Sequence, residues 1–146
     1  MEQEKKKQPI KKIAHIGIAV HSLDEALPFY RDHLGLTLEK IETVTSEKVR
    51  VAFLSVGEST IELIEPIDET STVYSFLQKR GEGIHHLALQ TDDIRKQLAS
   101  LKERDVKLVH EEPVRGALQT EIAFIHPKAG NNVLIELVER QKEDDH

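Results

Sequence analysis

Residues 61–65 read Ile61-Glu62-Leu63-Ile64-Glu65, and residues 135–139 read Ile135-Glu136-Leu137-Val138-Glu139. In both, a carboxylate stands among branched apolar residues, the period-two pattern of a β-strand. The likeness extends outward. His15-Ile16-Gly17-Ile18 corresponds to His86-Leu87-Ala88-Leu89, and Val51-Ala52-Phe53 to Ile122-Ala123-Phe124. The His-to-Glu spacing is 47 residues in the first copy (15 to 62) and 50 in the second (86 to 136). Repetition of this kind marks one supersecondary unit used twice. Two copies with matched polar residues can bring four ligands to one point near a pseudo-twofold axis.

The remaining elements follow in the same order in each copy. Ile13 to Val20 is predicted as a strand. Ser22-Leu23-Asp24-Glu25 is a capping box that opens a helix from Leu23 to Leu34, with Leu23, Ala26, Leu27, Tyr30 and Leu34 on one face and Gly35 at its end. Strands follow at 36–45, 49–56 and 59–65, the last two joined by a tight Gly57-Glu58 turn. A helix-prone link, Ser71 to Lys79, closes at Gly81 and Gly83. The second copy then begins with a strand at Ile84 to Gln90. Asp92 or Thr91 is expected to cap a helix from Ile94 to Arg104, and strands are predicted at Val106–Glu111, Glu121–His126 and Val133–Val138, with a turn over residues 127–131. The expectation is an α+β domain over 10–140, made of two tandem βαβββ modules at about 10–68 and 82–140. The polar segments 1–9 and 141–146 are expected to be unstructured tails.

With 146 residues, the chain has room for one domain or two small modules sharing a core. A net charge of −6 argues against general nucleic-acid binding. No apolar run approaches the roughly 20 residues of a membrane span. The Lys-rich start, Met1 to Lys12, has no apolar stretch behind it and does not read as a secretory signal. Cysteine is absent, which excludes thiol nucleophiles, iron–sulfur clusters and disulfides and suits a cytoplasmic setting. Any metal must therefore use imidazole and carboxylate ligands.

His15 and His86 each interrupt an apolar strand, where an imidazole costs free energy unless its nitrogens find partners. Taken alone, either is a satisfied core or edge histidine. Glu62 and Glu136, taken alone, are solvent-facing positions of half-buried strands. Recurrence at matched places favours the other reading, a metal site made of His15, Glu62, His86 and Glu136. Two imidazoles and two carboxylates suit a borderline divalent ion (cobalt, nickel, manganese, iron or zinc) with open positions left for water or a bidentate ligand. Glu65 and Glu139 are expected on the solvent side. His85, whose repeat counterpart is Ala14, is expected to point away from His86. His21, His33, His110 and His126 lack counterparts and are assigned to surface, turn or secondary-pocket positions.

These segments resemble the vicinal-oxygen-chelate superfamily, which includes glyoxalase I, extradiol dioxygenases, antibiotic-resistance proteins and methylmalonyl-CoA epimerases. Phe29-Tyr30-Arg31-Asp32-His33-Leu34-Gly35-Leu36 is typical of the whole superfamily. Three stretches are more specifically similar to the epimerases: residues 15–20, residues 71–73 through Gly83-Ile84-His85-His86-Leu87-Ala88, and His126-Pro127-Lys128 through Ile135-Glu136-Leu137. The resemblance covers nearly all of residues 10–140. It implies an open-sided mixed β-sheet barrel around one divalent metal per chain, with cobalt the first choice and nickel, manganese or zinc as alternatives. It implies ligands at His15, Glu62, His86 and Glu136, an acyl-CoA substrate, no membrane or nucleic-acid partner, and a homodimer. Glu62 departs from members that carry Gln there, and the resulting set also resembles metal-dependent glyoxalase I.

The activity implied is interconversion of (2R)- and (2S)-methylmalonyl-CoA. Inverting one carbon needs a base on one face and an acid on the other. Glu136 is the first candidate and Glu62 the second. Some epimerases carry a further acid–base Glu at the position that is Val51 here; Glu47 lies nearby. Arg115, Lys128 and Arg50 are candidates for the CoA phosphates. The alternatives are glyoxalase I (lactoylglutathione lyase), a metal-free small-molecule-binding member of the superfamily and, ranked below these, an extradiol dioxygenase.

Overall fold

Branched and small apolar residues build the strands, and polar caps punctuate them. The computed structural model describes residues 9–141, so the two expected tails fall outside it apart from Pro9 and Gln141. The elements are β1 (Ile10–Ala19), α1 (Leu23–Leu27), β2 (Thr37–Val44), β3 (Val49–Val56), β4 (Ser59–Pro66), α2 (Thr72–Arg80), β5 (Gly83–Thr91), α3 (Ile94–Glu103), β6 (Val114–Arg115), β7 (Thr120–Ile125) and β8 (Ile135–Arg140). The fold is α+β, with a mixed eight-stranded sheet in the order β2-β3-β4-β1-β5-β8-β7-β6.

The described residues divide into two compact units, one spanning 14–87 and the other taking 9–13 and 88–141. In the first, β3 and β4 form the hairpin expected around Gly57-Glu58, with Val56 opposite Ser59 and Gly57 at φ +58°. Val20, Leu23, Leu27, Ala52, Leu54 and Leu63 close the core between α1 and one face of this hairpin. Ser22 Oγ accepts from the Glu25 N–H and so opens α1. The predicted helix to Leu34 is only partly α: Pro28 starts a π-helical turn, Pro28–His33, which closes with Leu34 N–H donating to the Phe29 carbonyl. Proline supplies no amide to the i−4 ladder there, so the register widens by one residue.

In the second unit, Ile94, Leu98, Ala123, Ile125 and Leu137 form the corresponding core. Asp93, rather than Asp92 or Thr91, is the N-cap of α3, its carboxylate accepting from the Lys96 N–H. Thr91 Oγ1 in turn accepts from the Asp93 N–H. The predicted strand at Val106–Glu111 is not formed. Its residues make a single bridge, Leu108 to Ile125, and β6 appears later as a two-residue strand. The cause is local: the Phe124 N–H donates to the His110 ring at Nδ1 instead of to a strand carbonyl.

Candidate metal centre

β1 lies parallel to β4 with Gly17 opposite Glu62. His15, two residues from Gly17, shares that face. The outcome is a contact of 3.0 Å between His15 Nδ1 and Glu62 Oε2, with both side chains largely buried. A proton on Nδ1, donated to Glu62, fixes the tautomer and orientation of the ring and leaves Nε2 as the nitrogen able to accept a metal. Glu62 therefore stands beside His15 rather than on the solvent side that its isolated context suggests.

His86, on β5, is 5% exposed. Its Nδ1 lies 2.9 Å from His85 Nδ1, one ring donating and the other accepting. This corrects the expectation for His85. Alternation separates the two Cβ atoms, but the rings meet edge to face with centroids 5.2 Å apart. Phe76 of α2 holds His85 from its other side, at 4.9 Å between centroids.

With each Nδ1 so tethered, the two Nε2 atoms of His15 and His86 stand 3.1 Å apart. Two nitrogens bound to one ion at about 2.0–2.1 Å, with an angle of about 90–109° between them, stand about 2.8–3.4 Å apart. The imidazole pair therefore fits a shared divalent ion, and its donor chemistry matches a borderline metal. Gly17 makes this packing feasible. A Cβ at that position would lie 2.3 Å from His86 Cε1, so only glycine leaves room for the ring.

Glu136, on β8, pairs with Phe124 of β7 in the same register that pairs Glu62 with Phe53. It is 7% exposed, which for a carboxylate requires partners. Glu139 corrects the expectation of a solvent-facing position: its Oε1 accepts from the Ile94 N–H at 2.8 Å, at the start of α3. Glu65 pairs with Arg50 at 3.1 Å. Glu47 lies exposed in the turn between β2 and β3, and Val51 is buried. Arg115 and Lys128 are exposed. Of the remaining histidines, His33 is exposed in the π-helical turn, His21 donates its backbone N–H to Glu82, and His126 Nδ1 accepts from the Lys128 N–H in the turn before β8.

One carboxylate that sequence reasoning passed over is Glu42. It lies on β2, directly opposite Val51, and its Oε1 is buried with no hydrogen-bond partner among the described residues. It has no counterpart in the second copy, so the repeat could not point to it.

A strand-borne histidine pair on a duplicated hairpin scaffold defines a recognisable class. Residues 14–124 match the Glyoxalase/Bleomycin resistance protein/Dioxygenase superfamily, and the chain belongs to it. More particular likenesses lie within that class. The uncharacterized protein YqjC of Bacillus subtilis is 44% identical over 92% of this chain and 96% of its own length. The crystal structure of methylmalonyl-CoA epimerase from Mycobacterium tuberculosis superposes with a TM-score of 0.88 at 38% identity, covering 97% of this chain and 95% of that one. A structure of methylmalonyl-CoA epimerase in complex with methylmalonyl-CoA and NH4+ gives a TM-score of 0.87 at 38% identity, covering 90% and 96%.

Proposed function

We propose that this chain is a metal-dependent epimerase that interconverts (2R)- and (2S)-methylmalonyl-CoA. The observation that carries the choice of substrate is the 38% identity to epimerases across nine-tenths or more of the chain. Support for the metal comes from the paired Nε2 atoms of His15 and His86, and the matched position of Glu136 in the repeat makes it a further candidate ligand. Glu62 completes the set as the fourth ligand or, from its present position, as the group that orients His15.

The substrate carbon to be inverted lies between a thioester and a carboxylate, so its C–H bond is already acidified. A divalent ion held by His15, His86, Glu62 and Glu136 would supply positive charge that stabilises the negative charge building up on the substrate. The protein's own task is to move protons. Glu136 takes the C2 proton in one direction and returns it in the other, while a second group serves the opposite face. Glu62 keeps the His15 imidazole in its coordinating tautomer, and His85 orients the His86 ring through its Nδ1.

The test is deuterium incorporation at C2 of methylmalonyl-CoA in D2O, with and without prior treatment with chelator. Exchange that depends on a divalent ion and accompanies inversion is the expected result. A protein that exchanges neither epimer, but isomerises the hemithioacetal of methylglyoxal and glutathione, is a glyoxalase I instead.

A further inference from the structure

Inversion at one carbon requires two proton-transfer groups on opposite sides, and the centre described above supplies only one without ambiguity. We propose that Glu42 is the second. The inference rests on the epimerase reading and names a residue for it.

Three observations point to this side chain. First, its location: Glu42 pairs with Val51 across β2 and β3, Phe53 is two residues further along β3, and Phe53 pairs with Glu62 across β3 and β4. Cross-strand partners share a face, as do alternate residues of one strand. Glu42, Val51, Phe53 and Glu62 therefore lie on one face of the sheet, the face that carries His15. The opposite face is the one covered by α1, where Ala52 and Leu54 pack. Second, its state: Glu42 Oε1 is buried and unpaired. A carboxylate oxygen withheld from water without a donor is destabilising, and native chains keep few such groups without a role. Third, two cations of this hairpin are engaged elsewhere, and Lys40 is exposed to solvent. Arg50 pairs with Glu65, and Lys48 Nζ bonds Thr70 Oγ1.

In the forward direction the C2–H bond breaks, its proton passes to the Glu42 carboxylate, and the electron pair spreads into the adjacent thioester carbonyl. The carboxyl group on the other side then delivers a proton to C2, and the C=C bond of the enolate reverts to a single bond. The two groups end with exchanged protonation states, which solvent resets. In the reverse direction the roles interchange.

The experiment uses the metal-loaded full chain, each epimer separately, D2O and the variant Glu42→Gln, which preserves shape. Wild type should invert both epimers and label both. E42Q should lose inversion by about 100-fold to 10,000-fold, the usual contribution of one acid–base group. It should still label one epimer without inverting it, with KM, metal content and thermal midpoint close to wild type. Inversion within threefold of wild type, or a loss confined to KM, overturns the assignment. A second variant adds Val51→Glu to E42Q, moving the carboxylate to the cross-strand partner; labelling of the silent epimer should return. A folded double variant with normal KM that still labels one epimer overturns the placement on this face. A wild-type enzyme that labels neither epimer overturns the epimerase reading itself, a result distinct from any of these.

Discussion

The hairpins β3–β4 and β7–β8 are the same object built twice, and their outer neighbours are not. Inside the hairpins the register repeats residue for residue. Val51 faces Ile64 as Ile122 faces Val138, Ala52 faces Leu63 as Ala123 faces Leu137, and Phe53 faces Glu62 as Phe124 faces Glu136. The helices that cover them repeat too, with Leu23 and Leu27 matched by Ile94 and Leu98. Outside them the halves diverge. Next to β3 lies β2, a full strand of eight residues, whereas next to β7 lie a two-residue strand and one bridge. Residues that bury apolar surface in both copies are tied by packing, since a shift of one position would turn every side chain to the wrong face. The edge strand is not so tied. It is therefore the place where one half can carry a group, Glu42, that the other half lacks.

The strongest way to break this picture of near-symmetry is to remove the two matched carboxylates one at a time. Glu136→Gln should abolish inversion, a fall of about 1,000-fold or more, and leave labelling only of the epimer that Glu42 serves, while the fold remains intact by circular dichroism. Glu62→Gln should be milder. The amide still contacts His15 Nδ1 but no longer holds it as a charged acceptor, so metal affinity should drop about 10- to 100-fold and be restored by excess ion. Equal losses in the two variants, neither rescued by metal, would mean that the halves contribute identically and that the His15–Glu62 contact has no separate role.

A second comparison sharpens the asymmetry between Gly17 and its repeat counterpart Ala88. Gly17→Ala places a methyl against the His86 ring, which lies 2.3 Å from the new Cβ. The ring must tilt, so metal binding should weaken at least tenfold and stability should fall by about 1–3 kcal/mol, as in other overpacked sites. Ala88→Gly removes a buried methyl from a strand and should cost about 1 kcal/mol, with metal affinity unchanged. Isothermal titration with cobalt, together with urea unfolding, reads both. Unchanged metal binding in G17A would show that His86 is not held where the packing puts it.

These two pairs also show what was legible in advance. Strand identity, hairpin register and the matched residues His15, Glu62, His86 and Glu136 came from repetition, because side chains under the same packing constraint stay in step. Partners set by three-dimensional approach left no such trace. His85 was assigned to the far side by alternation, a rule about Cβ direction that does not limit where an imidazole ring reaches. Glu139 looked like a surface residue because nothing in Ile135-Glu136-Leu137-Val138-Glu139 announces an unpaired amide at Ile94. The strand expected at Val106–Glu111 failed because a histidine ring supplies the acceptor that a strand carbonyl would supply. Glu42 was invisible for the opposite reason to the proposed ligands: it has no twin.

The smallest expected effect concerns how each half starts its helix. α1 relies on Ser22, whose hydroxyl accepts from the Glu25 N–H. α3 has two carboxylates at its start, Asp93 accepting from Lys96 and Glu139 reaching across from β8 to Ile94. A carboxylate at a helix N-terminus gains from the aligned peptide dipoles as well as from the hydrogen bond, by about 0.3–1 kcal/mol where it is exposed and more where it is partly buried. Glu139 is half-buried and ties the strand that carries Glu136 to the helix above it. Glu139→Ala should therefore cost about 1–2 kcal/mol, because the Ile94 amide loses its acceptor, against about 1 kcal/mol for Ser22→Ala. At this chain length each kcal/mol lowers the thermal midpoint by about 2–4 °C. Exchange activity per folded molecule should stay near wild type in S22A. In E139A a further fall in activity, beyond the stability loss, would reveal that the cap also steadies Glu136, and the two halves would then differ in how their catalytic strands are braced.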